Sequence, residues 1–103
     1  MSYDLDDMRD QLEEGDAQLF DVREQDEWDA GHLVQAKFIP LSDLREGILP
    51  DGLDKSKKTY LHCRSGKRVM MAAPILESMG FQDVTPLQEG FEDLMAEGFS
   101  VQS

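Results

Sequence analysis

The residues Tyr60-Leu61-His62-Cys63-Arg64-Ser65-Gly66-Lys67-Arg68 include the chain's one cysteine and, directly after it, three of its ten Lys and Arg residues. The chemistry on offer is that of a thiolate. The ionised form is the nucleophile, and the usual thiol pKa of about 8.5 falls beside cations and at helix N-termini. Arg64, Lys67 and Arg68 supply cations, although the spacing does not say which of them point inward. Ser65 supplies a hydroxyl donor, and Gly66 supplies the backbone freedom that a tight turn needs. Successive N–H groups of such a turn form an anion-binding concavity. A cradle of this kind would keep Cys63 ionised at neutral pH and stabilise an anionic group carried on its sulfur. His62 stands next to the cysteine, but adjacent residues of a strand face opposite sides of a sheet. We therefore expect His62 to be structural, not a general base.

The elements that would position this loop are legible as alternating strand and helix patterns. Leu5, Met8 and Leu12 recur at helical spacing before Gly15 and predict an amphipathic helix over 4–14. Residues 17–22 form a short apolar stretch suited to a buried strand. Residues 24–30 predict a short helix closed by Gly31-His32, and 36–39 a second strand ended by Pro40. Residues 41–45 suit a short helix with Ser42 as its cap. Lys58 to His62 predicts the strand that delivers Cys63. Val69, Ala72, Ala73 and Leu76 then share one helical face, with Gly80 closing that helix in a left-handed conformation. Residues 82–85 predict a last strand, and 91–96 a last helix with Leu94 and Met95 facing inward. Pro74 interrupts the helix after the cysteine, where a proline costs roughly 3 kcal/mol. Either that helix kinks or its first turn belongs to the loop. The alternation implies an α/β fold: a three-layer domain with a central, mostly parallel sheet of about five strands and helices on both faces. In such a sheet ligands bind outside the C-terminal ends of the strands, where the cysteine loop must sit.

Composition narrows the function. The chain has 103 residues, 40% of them apolar, which suits one domain over 1–103 with a modest core. Its formal net charge is −12, which argues against nucleic acid and against anionic membrane surfaces as partners. One cysteine forms no internal disulfide and no thiolate metal site, so no metal or cofactor is expected. No apolar run approaches the ~20 residues of a membrane span, and the first residues lack the pattern of a secretory signal. A cytoplasmic protein with a reduced thiol is expected. Oligomeric state is not legible.

The motifs, taken in order, resemble the rhodanese-like family of single-domain sulfurtransferases over nearly the whole chain. Leu19-Phe20-Asp21-Val22-Arg23-Glu24 is similar to that family's strand ending in Asp-Val-Arg-Glu. Glu27-Trp28-Asp29-Ala30-Gly31-His32-Leu33 is similar to its Glu-aromatic-x-x-Gly-His-Ile segment. Ala36 to Pro40 resembles its strand ending in Ile-Pro, and Tyr60 to Arg68 its active-site strand and loop. Met79-Gly80-Phe81 and Glu97-Gly98-Phe99 resemble its later Gly-aromatic turns. The chain departs from the pattern at Val34-Gln35, at Glu89-Gly90 followed by Leu94, and at Pro74.

The resemblance implies that Cys63 attacks the outer sulfur of a donor such as thiosulfate. A persulfide forms on Cys63 and passes to cyanide, a thiol or a protein acceptor. It implies that the N–H groups of Arg64, Ser65, Gly66, Lys67 and Arg68 hold the terminal sulfur, and that Arg64 and Lys67 face the donor's sulfonate. Asp21 and Arg23 would tie a strand to the entrance loops, Glu27 and Trp28 would serve as scaffold, and Gly31-His32 would fix a turn. Two other readings compete. A rhodanese-like domain can act as a binding module, usually after losing its cysteine. A phosphatase or arsenate reductase shares the cysteine logic, but the dual-specificity phosphatases place five residues between cysteine and arginine. Here four separate Cys63 from Arg68, a cup better matched to one sulfur than to a tetrahedral oxyanion.

Overall fold

The computed structural model describes residues 3–103. In chain order the elements are α1 (Leu5–Glu14), β1 (Ala17–Asp21), α2 (Gln25–Ala30), β2 (His32–Leu33), β3 (Ala36–Phe38), α3 (Leu41–Arg45), β4 (Lys58–His62), α4 (Arg68–Ser78), β5 (Val84–Pro86), α5 (Phe91–Ala96) and β6 (Val101–Gln102). The central sheet has the order β3-β1-β4-β5, with every pairing parallel. It has four strands where about five were expected. The remaining two strands, β2 and β6, form a separate antiparallel pair that sequence reading missed. At two residues each they are too short to show a period-2 pattern.

Period-2 alternation distributes the core to the two faces of the sheet. Phe20, Val22, Leu61 and Cys63 pack with Leu41 and Leu44 of α3 and with Val69, Ala72 and Leu76 of α4. Leu19 and Tyr60 pack on the other face with Met8 of α1 and Leu94 of α5. The register sets Asp21 beside Phe38 and beside His62. The segments that follow β1 and β4 therefore leave the sheet side by side at its C-terminal edge, and Val22 N–H still donates to the His62 carbonyl at 3.1 Å.

Two local expectations change, and the alternative left open at α4 is decided. Ser42 does not cap α3; Pro40, in extended conformation, precedes that helix. The Ser42 hydroxyl instead donates to the Glu24 carboxylate at 2.5 Å, joining α3 to the start of α2. Met95 does not face the core: it is 40% exposed while Leu94 is fully buried, because neighbouring helical positions diverge by about 100°. Residues 66 and 67 belong to the loop, so α4 begins at Arg68 and runs past Pro74 as one helix. The carbonyl that Pro74 cannot satisfy is that of Met70, an exposed residue, so water can serve it. Gly80 has φ +104° and closes α4 as expected.

Candidate active site

Strand β4 ends at His62, and the chain turns through residues 63–67 into α4. Cys63 continues the alternation of β4, so its side chain lies with Leu61 on the face of α3 and α4 and is fully buried. Its sulfur accepts a hydrogen bond from the Gly66 N–H at 3.2 Å. Gly66 adopts φ +83°, a region that favours glycine. Among the described residues Gly66 is the one loop residue whose amide donates to the sulfur. Arg64, Ser65 and Lys67 are exposed.

Arg68 is committed elsewhere. Its guanidinium donates two bonds to the Glu27 carboxylate, at 2.6 and 2.8 Å, a fork geometry that binds tightly and directionally. Glu27 also accepts the Glu24 N–H at 3.0 Å. These bonds, the Arg68 one first, hold the Glu27 carboxyl at about 2, well below its ordinary 4.5. The same pairing raises Arg68 above the usual arginine range. The first residue of α4 is thereby tied to α2.

A second brace comes from the first residue of α5 and the residues just before it. The Phe91 N–H donates to the Cys63 carbonyl at 2.9 Å. Gly90 lies so close that a Cβ there would stand 1.8 Å from the Arg64 carbonyl oxygen. A Cβ on Gly66 would meet the Gln88 carbonyl oxygen at 2.9 Å. Two glycines thus allow the 88–90 backbone to press against the cysteine loop. Sequence reading noted Gly90 only within a departure from a family pattern. No local signal marks a contact made across such separation.

His62 projects to the opposite face from Cys63. Its ring stacks near Phe91 with centroids 6.3 Å apart. Its Nε2 is buried without a hydrogen-bond partner and lies 3.6 Å from Asp21 Oδ2. Burial pushes its pKa down, more than the nearby Asp21 raises it. The ring is turned from the sulfur, and its Nδ1 lies 3.4 Å from the Cys63 carbonyl oxygen, not against the thiol. Asp21 accepts from the Arg23 Nε and Nη2 at 2.8–3.0 Å, and Arg23 Nη2 also donates to the Gly31 carbonyl at 2.7 Å. That buried pair ties the end of β1 to the turn before β2, and Arg23 lies over the Phe91 ring at 4.2 Å. Trp28 and His32 stack face to face at 3.6 Å, with His32 Nδ1 on the Trp28 carbonyl at 3.0 Å.

A cleft of about 200 Å³ opens beside the loop, lined by Arg23, Glu27, Ala30, Gly31, Arg64, Phe91 and Glu92. It reaches the cysteine loop at Arg64. Among the described residues there is no cluster of three or more metal-ligating side chains, and no helix is long and apolar enough to cross a membrane.

The model of the rhodanese-like domain family matches residues 4–97. An uncharacterized protein of Bacillus subtilis, YqhL, is 37% identical over 76 residues, 74% of this chain and 59% of that one. The chain thus spans less than two thirds of that relative's length. The thiosulfate sulfurtransferase GlpE of Coxiella burnetii is 31% identical over 77 residues, 75% of this chain and 70% of that one. The crystal structure of the Alr3790 protein from Anabaena superposes with a TM-score of 0.82 at 26% identity, covering 98% of this chain and 80% of that one.

Proposed function

The chain belongs to the rhodanese-like domain family, and on that premise we propose that it is a sulfurtransferase working through a Cys63 persulfide. The Cys63 thiolate attacks the outer sulfur of thiosulfate or of another persulfide-type donor. With thiosulfate, the donor's S–S bond breaks and sulfite leaves with the electron pair. Cyanide carbon or a thiolate sulfur then attacks the outer sulfur of the persulfide. The remaining S–S bond breaks and the Cys63 thiolate is released. No external oxidant or reductant is needed, and splitting the transfer in two predicts ping-pong kinetics.

The observation that carries this reading is the Gly66 amide donated to the sulfur at 3.2 Å, within a loop braced on both sides. The bracing fixes that amide, a donor to the sulfur, before substrate arrives. Arg64 and Lys67, exposed on the loop, are suited to meet an anionic donor. Arg68 contributes its anchor on Glu27, which commits its guanidinium to α2 and away from the donor.

Incubation with thiosulfate should leave the protein one sulfur atom heavier by intact mass, and cyanide should remove that atom. Cys63→Ser should abolish the gain while melting cooperatively. An unchanged mass across thiosulfate and several persulfide donors would defeat the proposal. Undiminished uptake in Cys63→Ser would do the same.

A further inference from the structure

Residues 88–90 press on the cysteine loop, and they are themselves anchored by a side chain from the other end of the sequence. The Leu87 N–H donates to the Leu61 carbonyl and the Phe91 N–H to the Cys63 carbonyl, both at 2.9 Å. Between these two ties the Gln88 N–H donates to the Tyr3 hydroxyl oxygen at 2.8 Å, across 85 positions. The same hydroxyl donates to Glu89 Oε1 at 2.5 Å, a length typical of an O–H bond to a carboxylate. One phenol thus serves two consecutive residues, as acceptor for the first and donor for the second. Its ring is partly buried and packs against the cluster that holds Met8, Leu19 and Leu94. Burial first, and then the bond to Glu89, raise the Tyr3 pKa above its ordinary 10, so the hydroxyl keeps its proton at neutral pH.

Gln88 is where this anchorage meets the nucleophile. A Cβ on Gly66 would stand 2.9 Å from the Gln88 carbonyl oxygen and 3.6 Å from the Gln88 Cα, so the Gln88 backbone lies directly against Gly66. Gly66 is the residue whose N–H donates to the Cys63 sulfur. We propose that Tyr3 is a positioning residue for the Cys63 nucleophile: its hydroxyl fixes residues 88 and 89, and their backbone holds Gly66 in the turn that aims its amide at the sulfur. Its part in sulfur transfer rests on the persulfide reading above. Tyr3 acts through Gln88 and not by contact with the reacting atoms. Gln88 is exposed, so water can replace the Tyr3 oxygen on its N–H at little cost to folding. A water molecule does not hold the segment in one place, and the site is therefore more sensitive to loss of the hydroxyl than the fold is.

Tyr3→Phe keeps the packed ring and removes both bonds. Two readouts follow its effect at the site: hydrogen exchange of the Gly66 amide, which reports local opening of the turn, and the rate at which thiosulfate loads Cys63. Gly66 exchange should rise and loading should fall, each by about three- to tenfold, while the melting temperature drops only a few degrees. Gly15→Ala is the control, since it loses stability through backbone strain at the end of α1. It should leave both readouts at their parental values. Glu89→Gln retains an oxygen that accepts from Tyr3 and should behave as the parent chain does. Glu89→Ala should give part of the Tyr3→Phe effect, and the two changes together should be no worse than Tyr3→Phe alone, because they remove the same contact.

Parental Gly66 exchange in Tyr3→Phe would overturn the inference whether or not Cys63 loads. Equal changes in Tyr3→Phe and Gly15→Ala would also overturn it, since Tyr3 would then serve folding and not the nucleophile. If no donor loads the parent chain yet Gly66 exchange quickens in Tyr3→Phe alone, the positioning contact stands and the transfer reading falls. If the parent loads and Tyr3→Phe loads at the same rate, Tyr3 has no part in transfer and the inference falls alone.

Discussion

Glu27 receives three hydrogen bonds, two from Arg68 and one from the Glu24 N–H, and its ionisation is therefore linked to folding. Its carboxyl titrates near 4.5 ordinarily and near 2 in the fold. As pH falls the unfolded chain takes up this proton first. The contribution of Glu27 is thus complete above about 4.5 and lost as pH falls towards 2. Both side chains remain about a quarter exposed, at 26% and 22%, so solvent screening holds the contribution to about 1 kcal/mol or less. Glu27→Gln should lower the urea midpoint at pH 7, and the difference from the parent chain should shrink between pH 4.5 and pH 2. A difference that stays constant over that range would show that ionisation of Glu27 does not matter. Sequence reading assigned Glu27 to the scaffold and Arg68 to substrate. The pair spans 41 positions, and side chains so far apart in sequence carry no mark of being partners. What the sequence did show at this scale was the opposite facing of His62 and Cys63, because β4 alternates strictly.

The braces on the cysteine loop act between elements. Gly90 has φ −89°, an ordinary value, so glycine is required there for space and not for backbone freedom. Its added methyl would stand 1.8 Å from the Arg64 carbonyl oxygen and 2.6 Å from the carbon. One backbone must retreat, at about 1–3 kcal/mol for an overpacked contact. Gly90→Ala should lower unfolding free energy by about that amount and slow sulfur loading more than tenfold, because the displaced segment carries the Cys63–Gly66 turn. Gly15→Ala is the comparison: a Cβ there meets open space but φ is +81°. It should cost about 1 kcal/mol through strain and leave loading intact. Wild-type loading by Gly90→Ala would mean that the contact packs the fold without shaping the site. Helix α4 offers the converse. Pro74 is exposed and inside the helix, so Pro74→Ala restores a backbone donor to the Met70 carbonyl and relieves the ring clash. Set against the proline's restriction of the unfolded chain, a net gain of about 1–2 kcal/mol is expected, read as a higher urea midpoint. A neutral or lower midpoint would mean that the helix already accommodates the ring. The helix and strand sequence from 5 to 96 was legible because hydrophobic periodicity and glycine stops mark elements of three or more residues. The β2–β6 pair, the cap of α3 and the press of 88–90 on the loop were not, since each is decided by tertiary contact.

Across the whole molecule, local and global charge oppose each other. The net charge is −12 on a body with a radius of gyration of 12.4 Å, while Arg64 and Lys67 stand exposed on the cysteine loop. A dianion such as thiosulfate approaches against the first and is held by the second. Which wins depends on distance relative to the Debye length, which is about 30 Å at 0.01 M and about 8 Å at 0.15 M ionic strength. At the lower value the acidic surface acts on the donor throughout its approach. At the higher value the distant acidic surface is damped far more than Arg64 and Lys67, which act on the donor at short range. The kcat/KM for thiosulfate should therefore rise a few-fold between 0.01 and 0.15 M KCl. It should fall again towards 1 M, where a Debye length of about 3 Å weakens the loop cations too. A neutral organic trisulfide should show neither limb. Arg64→Gln should lower the maximum for thiosulfate and keep the rising limb, because that limb belongs to the surface and not to the loop. A steady fall from the lowest salt onward would mean that the loop cations govern the donor's whole approach despite the acidic surface around them.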